Sequence, residues 1–206
     1  MIIIIIIIII SYIIGSFPTS FLISKSFGID ILKIGSKNPG MTNVIRSVGI
    51  LPGLLVGIID IAKGWVVAFY SPYLLSNNSP EFLISFIQII SGSSAVIGHT
   101  FSIFLKFKGG KGIATLTGLI IAIAPVSFLC CLMIFFLTLF LSGYVSLSSI
   151  LGSLTLPISI IFLEVNDSII IFSIIIPCFV LITHKSNIKR ILNGTENKFD
   201  KIKIFK

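Results

Sequence analysis

Gly98-His-Thr-Phe-Ser-Ile-Phe-Leu-Lys-Phe-Lys-Gly-Gly-Lys-Gly-Ile-Ala-Thr115 lies between two long apolar runs, Phe82–Phe104 and Ile113–Leu141. Within it Lys106, Lys108 and Lys111 surround Gly109, Gly110 and Gly112. Glycines let a backbone close tightly on a ligand and aim N–H groups at it, and lysines add positive charge. A helix starting near Ile113 adds the positive end of its dipole. The segment therefore reads as a phosphate cradle where a membrane helix meets water. It is not an ATP-type P-loop, because Lys111 is followed by Gly112 and not by a hydroxyl that could hold magnesium. A basic loop that only fixes membrane orientation would need the lysines but not three glycines in four residues.

Composition places the rest of the chain around that loop. Mean hydropathy is +1.15. Hydrophobic residues make up 55% and charged residues 11% of 206 positions, which excludes an ordinary soluble domain. The net charge of +8 raises nucleic acid as a partner. No nucleic-acid motif accompanies the lysines, which sit beside apolar runs and in the tail as the positive-inside rule expects. Cys130, Cys131 and Cys178 have neither disulfide nor metal-ligand spacing, and no metal or cofactor is implied.

The expected fold is an all-α integral membrane protein, with residues 1–206 forming one polytopic domain and 187–206 a basic cytoplasmic tail. Apolar stretches run over Met1–Ser24, Ile50–Tyr70, Phe82–Phe104, Ile113–Leu141 and Val145–Ser186, the last interrupted by Glu164–Asp167. Lys25, Lys33, Lys37 and Arg46 mark one inside loop, and Lys106, Lys108 and Lys111 mark another. The loops at Ser71–Glu81 and Glu164–Asp167 carry no Lys or Arg and read as outside. Passing from Lys111 inside to Glu164 outside takes an odd number of crossings, and one crossing cannot absorb some fifty apolar residues. Three crossings, with turns near Pro125 and Ser142–Tyr144, bring the total to seven, N-terminus outside and C-terminus cytoplasmic. Five spans plus a re-entrant hairpin is the alternative. The Ile2–Ile10 run lacks a basic flank and a cleavage site, and reads as a retained first span.

Three polar clusters fall on the inside face in this topology. Gly35-Ser36-Lys37-Asn38-Pro39-Gly40-Met41-Thr42-Asn43-Val44-Ile45-Arg46 packs hydroxyls, amides and an arginine into twelve residues. If a helix begins near Thr42, Asn43 and Arg46 lie one turn apart on a shared face. Arg46 can then hold a phosphate bidentately, with Ser36, Asn38 and Asn43 as neutral donors. The second cluster is the cradle, with His99 at its start. The third is divided between Tyr144–Ser149, containing Ser146, and His184–Arg190, where His184 and Asn187 share a helical face. Asp60 and Lys63, three apart inside the second span, read as a structural ion pair.

These clusters resemble the bacterial acyl-phosphate:glycerol-3-phosphate acyltransferases, the PlsY type of membrane enzyme, over nearly the full length. Gly15-Ser16-Phe17-Pro18-Thr19, Gly35–Arg46, Gly98–Thr115, Tyr144–Ser149 and His184–Gly194 with Glu196 follow in the family's order. Lys37 and Ser102 depart from the usual pattern, and Lys37 adds a charge near the site. The resemblance implies acyl transfer from acyl-phosphate to the sn-1 hydroxyl of glycerol 3-phosphate, at the cytoplasmic face of a bacterial inner membrane. The products are 1-acyl-glycerol 3-phosphate and phosphate. It implies Ser36, Asn38, Arg46, Lys108, Ser146, His184 and Asn187 as catalytic residues. Thr42, Asn43, His99, Lys106, Gly109, Gly110, Lys111 and Gly112 are the implied phosphate and substrate contacts. The implied partners are the two substrates, membrane lipid and a soluble acyl-phosphate-producing enzyme that the basic tail could dock. His99, His184 or a substrate phosphate oxygen could each accept the proton. Neither histidine begins a His-x-x-x-x-Asp motif, which argues against an acyl-CoA-dependent enzyme. A transporter or channel for a phosphate-bearing anion is the competing class, but the cradle has no second copy in the chain.

Overall fold

The computed structural model describes residues 2–75, 79–163 and 166–199. Every regular element among them is helical, and the chain packs as two compact units, Met1–Ile123 and Ala124–Lys206.

The first unit contains α1 (Ile2–Ser16), α2 (Thr19–Ser26), α3 (Met41–Ser47), α4 (Ile50–Tyr70), α5 (Glu81–Thr100) and α6 (Ile113–Ile123), with single 3₁₀ turns at Ser71–Leu74 and Ile103–Leu105. Lipid offers no hydrophobic reward for helix association, so close approach at small residues has to supply it. Gly15 lies against the Ala95 backbone and Gly98 against the Tyr12 carbonyl, which seats α1 on α5. Gly64 meets the Thr115 carbonyl and Gly118 the Ile61 carbonyl, which seats α6 on α4. A side chain at any of the four would push the helices apart. Buried hydroxyls add a second tie: Ser91 Oγ donates to the Val67 carbonyl at 3.1 Å and lies 2.9 Å from Ser71 Oγ.

The second unit contains α7 (Pro125–Ser142), α8 (Val145–Leu163), α9 (Asp167–Thr183) and α10 (Lys185–Leu192). Pro125 starts α7, where its missing N–H costs nothing. Gly143 ends the same helix at φ 73°, the left-handed conformation that favours glycine. Asn166 caps α9, its Oδ1 accepting from the Ser168 N–H at 3.0 Å. A bend of 62° at His184 turns α9 into α10. Large apolar side chains such as Leu141, Phe162 and Ile182 point outward, as lipid requires.

The breaks at Pro125 and Ser142–Tyr144 fall where the sequence places them, giving seven apolar segments. Among the described residues five helices, counted with their short extensions, are long and apolar enough to cross a membrane, or six if the bent α9–α10 pair counts as one. The expected seven crossings differ from this count mainly at α6. Its 11 residues rise about 16 Å, roughly half a hydrocarbon core. Of the expected tail over 187–206, the first six residues are the end of α10, and 200–206 lie outside the described residues.

Candidate functional site

In the first unit the polar residues converge on the ends of α3, α5 and α6. The chain leaves α5 at Phe101, makes the 3₁₀ turn Ile103–Leu105, and bends back through Lys106 and Phe107, both at positive φ (53° and 61°). This return carries Lys106 and Lys108 to the surface, with Lys111 half-buried at the foot of α6.

The glycine part works differently. The Gly109 N–H donates to the Thr100 carbonyl at 3.0 Å and the Gly110 N–H to the His99 carbonyl at 3.1 Å. These two amides hook the loop to the end of α5, so their N–H groups are spent within the protein in this arrangement. Both glycines are required for a different reason. A methyl on Gly109 would enter the His99 carbonyl, and one on Gly110 would strike the His99 ring at Nε2 and the Pro39 carbonyl. The N–H groups suited to a phosphate lie one step further along. The first bond of α6 runs from the Leu116 N–H to the Gly112 carbonyl at 2.8 Å, so the amides ahead of Leu116 form the open, positive end of the helix. Gly112, at φ 79°, makes the turn into that end.

The Gly35–Arg46 segment divides similarly. Helix α3 starts at Met41, close to the expected Thr42, but Asn43 and Arg46 do not share an exposed face. Asn43 is 2% exposed and wholly engaged. Its Oδ1 accepts from the Ser36 N–H at 3.0 Å, and its Nδ2 donates to the carbonyls of Ile31 (3.3 Å) and Ile34 (3.1 Å). Through these bonds it braces the 31–36 loop. Ser36 and Arg46 stand at the surface, with Asn38 and Thr42 half-buried.

Asp60 and Lys63 also reach this region. Lys63 Nζ donates to Asp60 Oδ1 at 2.7 Å and to the Phe17 carbonyl at 2.6 Å. The ion pair expected from the sequence is formed, and a small cavity places Asp60 beside His99, Pro39 and Gly110.

The second unit gathers its polar residues around one carboxylate. Glu196 Oε1 accepts from Ser146 Oγ (2.8 Å) and Asn187 Nδ2 (2.6 Å), and Oε2 from Arg190 Nε (2.6 Å). Burial pushes the Glu196 carboxyl up, but the bonds from Asn187, Ser146 and Arg190 and the Arg190 charge outweigh it and hold the group below its ordinary range. Sequence reasoning missed Glu196 as a site residue. Its signals were its place after His184–Gly194 in the family's order and its being an acid between Arg190 and Lys198 in a basic tail. His184 is 2% exposed, with Nδ1 2.9 Å from the Val180 carbonyl. A carbonyl only accepts, so Nδ1 carries the proton and Nε2 of the neutral ring is the acceptor.

Three comparisons bear on this arrangement. The sequence model of the glycerol-3-phosphate acyltransferase family matches residues 5–194. The glycerol-3-phosphate acyltransferase of Chlorobium limicola is 40% identical, covering 92% of this chain and 93% of its own. That of Geotalea daltonii is 40% identical over 95% of this chain and 97% of its own. PlsY (YgiH), an integral membrane glycerol 3-phosphate acyltransferase, has been solved in two similar forms. The glycerol 3-phosphate form has TM-score 0.88 at 29% identity, over 98% of this chain and 99% of that one. The lysophosphatidic acid form has TM-score 0.85 at 29% identity, over 97% and 96%. With matched sequence over almost its whole length and the same all-helical membrane fold, the chain belongs to the glycerol-3-phosphate acyltransferase family.

Proposed function

We propose that this protein transfers a fatty acyl group from acyl-phosphate to the sn-1 hydroxyl of glycerol 3-phosphate. The hydroxyl oxygen bonds to the acyl carbon, the bond from that carbon to the phosphate oxygen breaks, and the hydroxyl proton leaves on the released phosphate. The products are 1-acyl-glycerol 3-phosphate and inorganic phosphate. The single observation that carries the reading is the pairing of α6's open N-terminus with Lys106, Lys108 and Lys111 on one loop. Two phosphate-bearing substrates call for such a site, and two more features of the first unit suit them. Arg46 suits a second phosphate through its planar fork. Ser36 and Asn38 are assigned to the reacting hydroxyl and the developing oxyanion.

An acyl-phosphate is a mixed anhydride with a good leaving group, so no strong protein nucleophile is needed. Positioning and oxyanion stabilisation can supply most of the barrier reduction. The enclosed ring of His99 suits bracing more than proton exchange. In the second unit Ser146, His184 and Asn187 are assigned as further polar contacts, with Glu196 fixing two of them. The family resemblance implies a bacterial inner membrane, and the charge asymmetry supports an orientation with the basic loops cytoplasmic. A soluble enzyme that makes acyl-phosphate is a partner consistent with that face.

The deciding experiment gives the purified protein, in lipid, glycerol 3-phosphate with acyl-phosphate, acyl-CoA or acyl carrier protein as rival donors. Turnover is expected with acyl-phosphate alone. Comparable turnover with acyl-CoA would overturn the donor assignment.

A further inference from the structure

We infer that Asp60, held by Lys63, is a positioning residue that sets the phosphate cradle through His99; the inference rests on the functional reading above. Both residues lie within a membrane-spanning helix, 2% and 6% exposed. A buried ion pair there is costly, and an apolar pair of similar volume would often be no less stable. Stability alone is therefore a weak reason for the pair, and its surroundings supply a better one.

Lys63 locks the carboxylate in place from one side. Its ammonium bridges Asp60 Oδ1 (2.7 Å) and the Phe17 carbonyl (2.6 Å), where Pro18 separates α1 from α2. On the other side, His99 Nδ1 lies 3.8 Å from the same Asp60 oxygen. That distance is an electrostatic contact and not a hydrogen bond, enough to favour the ring orientation with Nδ1 toward the carboxylate. The opposite ring edge then meets the cradle, where a methyl on Gly110 would enter Nε2. The His99 carbonyl accepts the Gly110 N–H, and the next carbonyl, Thr100, accepts that of Gly109. His99 thus touches the turn with both ring and backbone, two residues ahead of the amides at the start of α6. The end of α5 is itself pinned to α1: Tyr12 Oη donates to the Phe101 carbonyl at 2.7 Å and Ser102 Oγ to that of Ser16. With that end fixed, the ring is the part of the assembly left for Asp60 to orient.

A double-mutant cycle tests this. Asp60→Asn, His99→Gln and the double variant are purified in lipid, and KM for glycerol 3-phosphate, kcat and thermal midpoint are measured. Each single change should raise KM about tenfold, and the double variant should lie within about threefold of His99→Gln alone. Asp60→Glu, which keeps the charge, should recover more of the KM than Asp60→Asn does. If Asp60→Asn does not extract as folded protein, Asp60→Asn/Lys63→Met removes the pair as a neutral unit and takes its place in the cycle. KM effects that multiply across the cycle, or an Asp60 variant with wild-type KM and only a lowered midpoint, would overturn the positioning role. Absence of turnover by the wild type would overturn the functional reading instead, so the two failures are distinguishable.

Discussion

Replacing Glu196 by glutamine keeps the side chain's shape and removes one negative charge from the centre of the second unit's polar cluster. The carboxylate accepts from Ser146 and Asn187 on one oxygen and from Arg190 on the other. A glutamine has only one oxygen, so its NH₂ must face a donor, either Arg190 Nε or, after a flip, Asn187 Nδ2. A hydrogen bond to a charged group contributes about 1.5–3 kcal/mol. The Arg190 side chain is 36% exposed, so water offsets part of its loss, and about 2 kcal/mol remains. For a chain of this size that corresponds to a fall of about 4–8 °C in Tm, read by a thermal melt in detergent at pH 7. The pH dependence supplies a second check. With the folded carboxyl held below its ordinary 4.5, the folded state binds fewer protons than the unfolded state as that group titrates. Its contribution is therefore complete above about pH 4.5 and lost as pH falls through the lower, folded value. The Tm gap between wild type and Glu196→Gln should be widest at neutral pH and close in acid. Equal midpoints at pH 7, or a gap that widens on acidification, would refute the reasoning.

Gly110→Ala drives a methyl into the His99 ring and the Pro39 carbonyl, an overpacking that should cost about 1–3 kcal/mol of stability and raise KM for a phosphate substrate. Melts and steady-state kinetics on the same preparation check both, and a variant unchanged in either would remove the close-packing account. Arg46→Lys keeps the charge but loses the fork, and should lower kcat/KM by roughly one to two decades, the size of one charge-assisted bond, while the Tm stays within a few degrees. Single-cysteine labelling in a cysteine-free background should reach positions 37, 108, 146 and 198 from the cytoplasmic side and 166 from outside. Labelling of Ser146→Cys from outside would break the proposed orientation.

The helices were legible because the signals that fix them are local. An apolar run with no charges must satisfy its own backbone in lipid, and only a helix does so without partners. Pro125 and Gly143 then punctuate the runs through their own backbone chemistry. The ion pair of Asp60 and Lys63 was legible for the same reason, since two opposite charges one helical turn apart in a membrane have little else to bind. The expected start near Ile113 and turn near Pro125 also bracket α6, but the sequence counts that segment as a full crossing, whereas its 11 residues rise only about half a hydrocarbon core.

The polar residues follow a different rule. Ser36, Asn43, Gly110, Ser146 and Asn187 look equally suited to a ligand when read as letters, and the structure divides them by where their hydrogen bonds go. Asn43 spends its side chain on three backbone groups, and Gly110 spends its N–H on α5. Both bonds depend on where a loop folds back, 7 to 12 residues from Asn43 and 11 from Gly110, and no helical period encodes that distance. Glu196 is the extreme case, 50 residues from Ser146 and 9 from Asn187. The physical distinction is between groups that build the cradle and groups that can face a substrate from it. A buried polar atom must be paired, so the builders are consumed by the protein itself. Under the proposed function, phosphate recognition is assigned to the lysines at the loop surface and the helix end that the builders hold in place. Mutating a builder should therefore lower stability and affinity together, whereas mutating Lys108 should lower affinity and leave the fold intact.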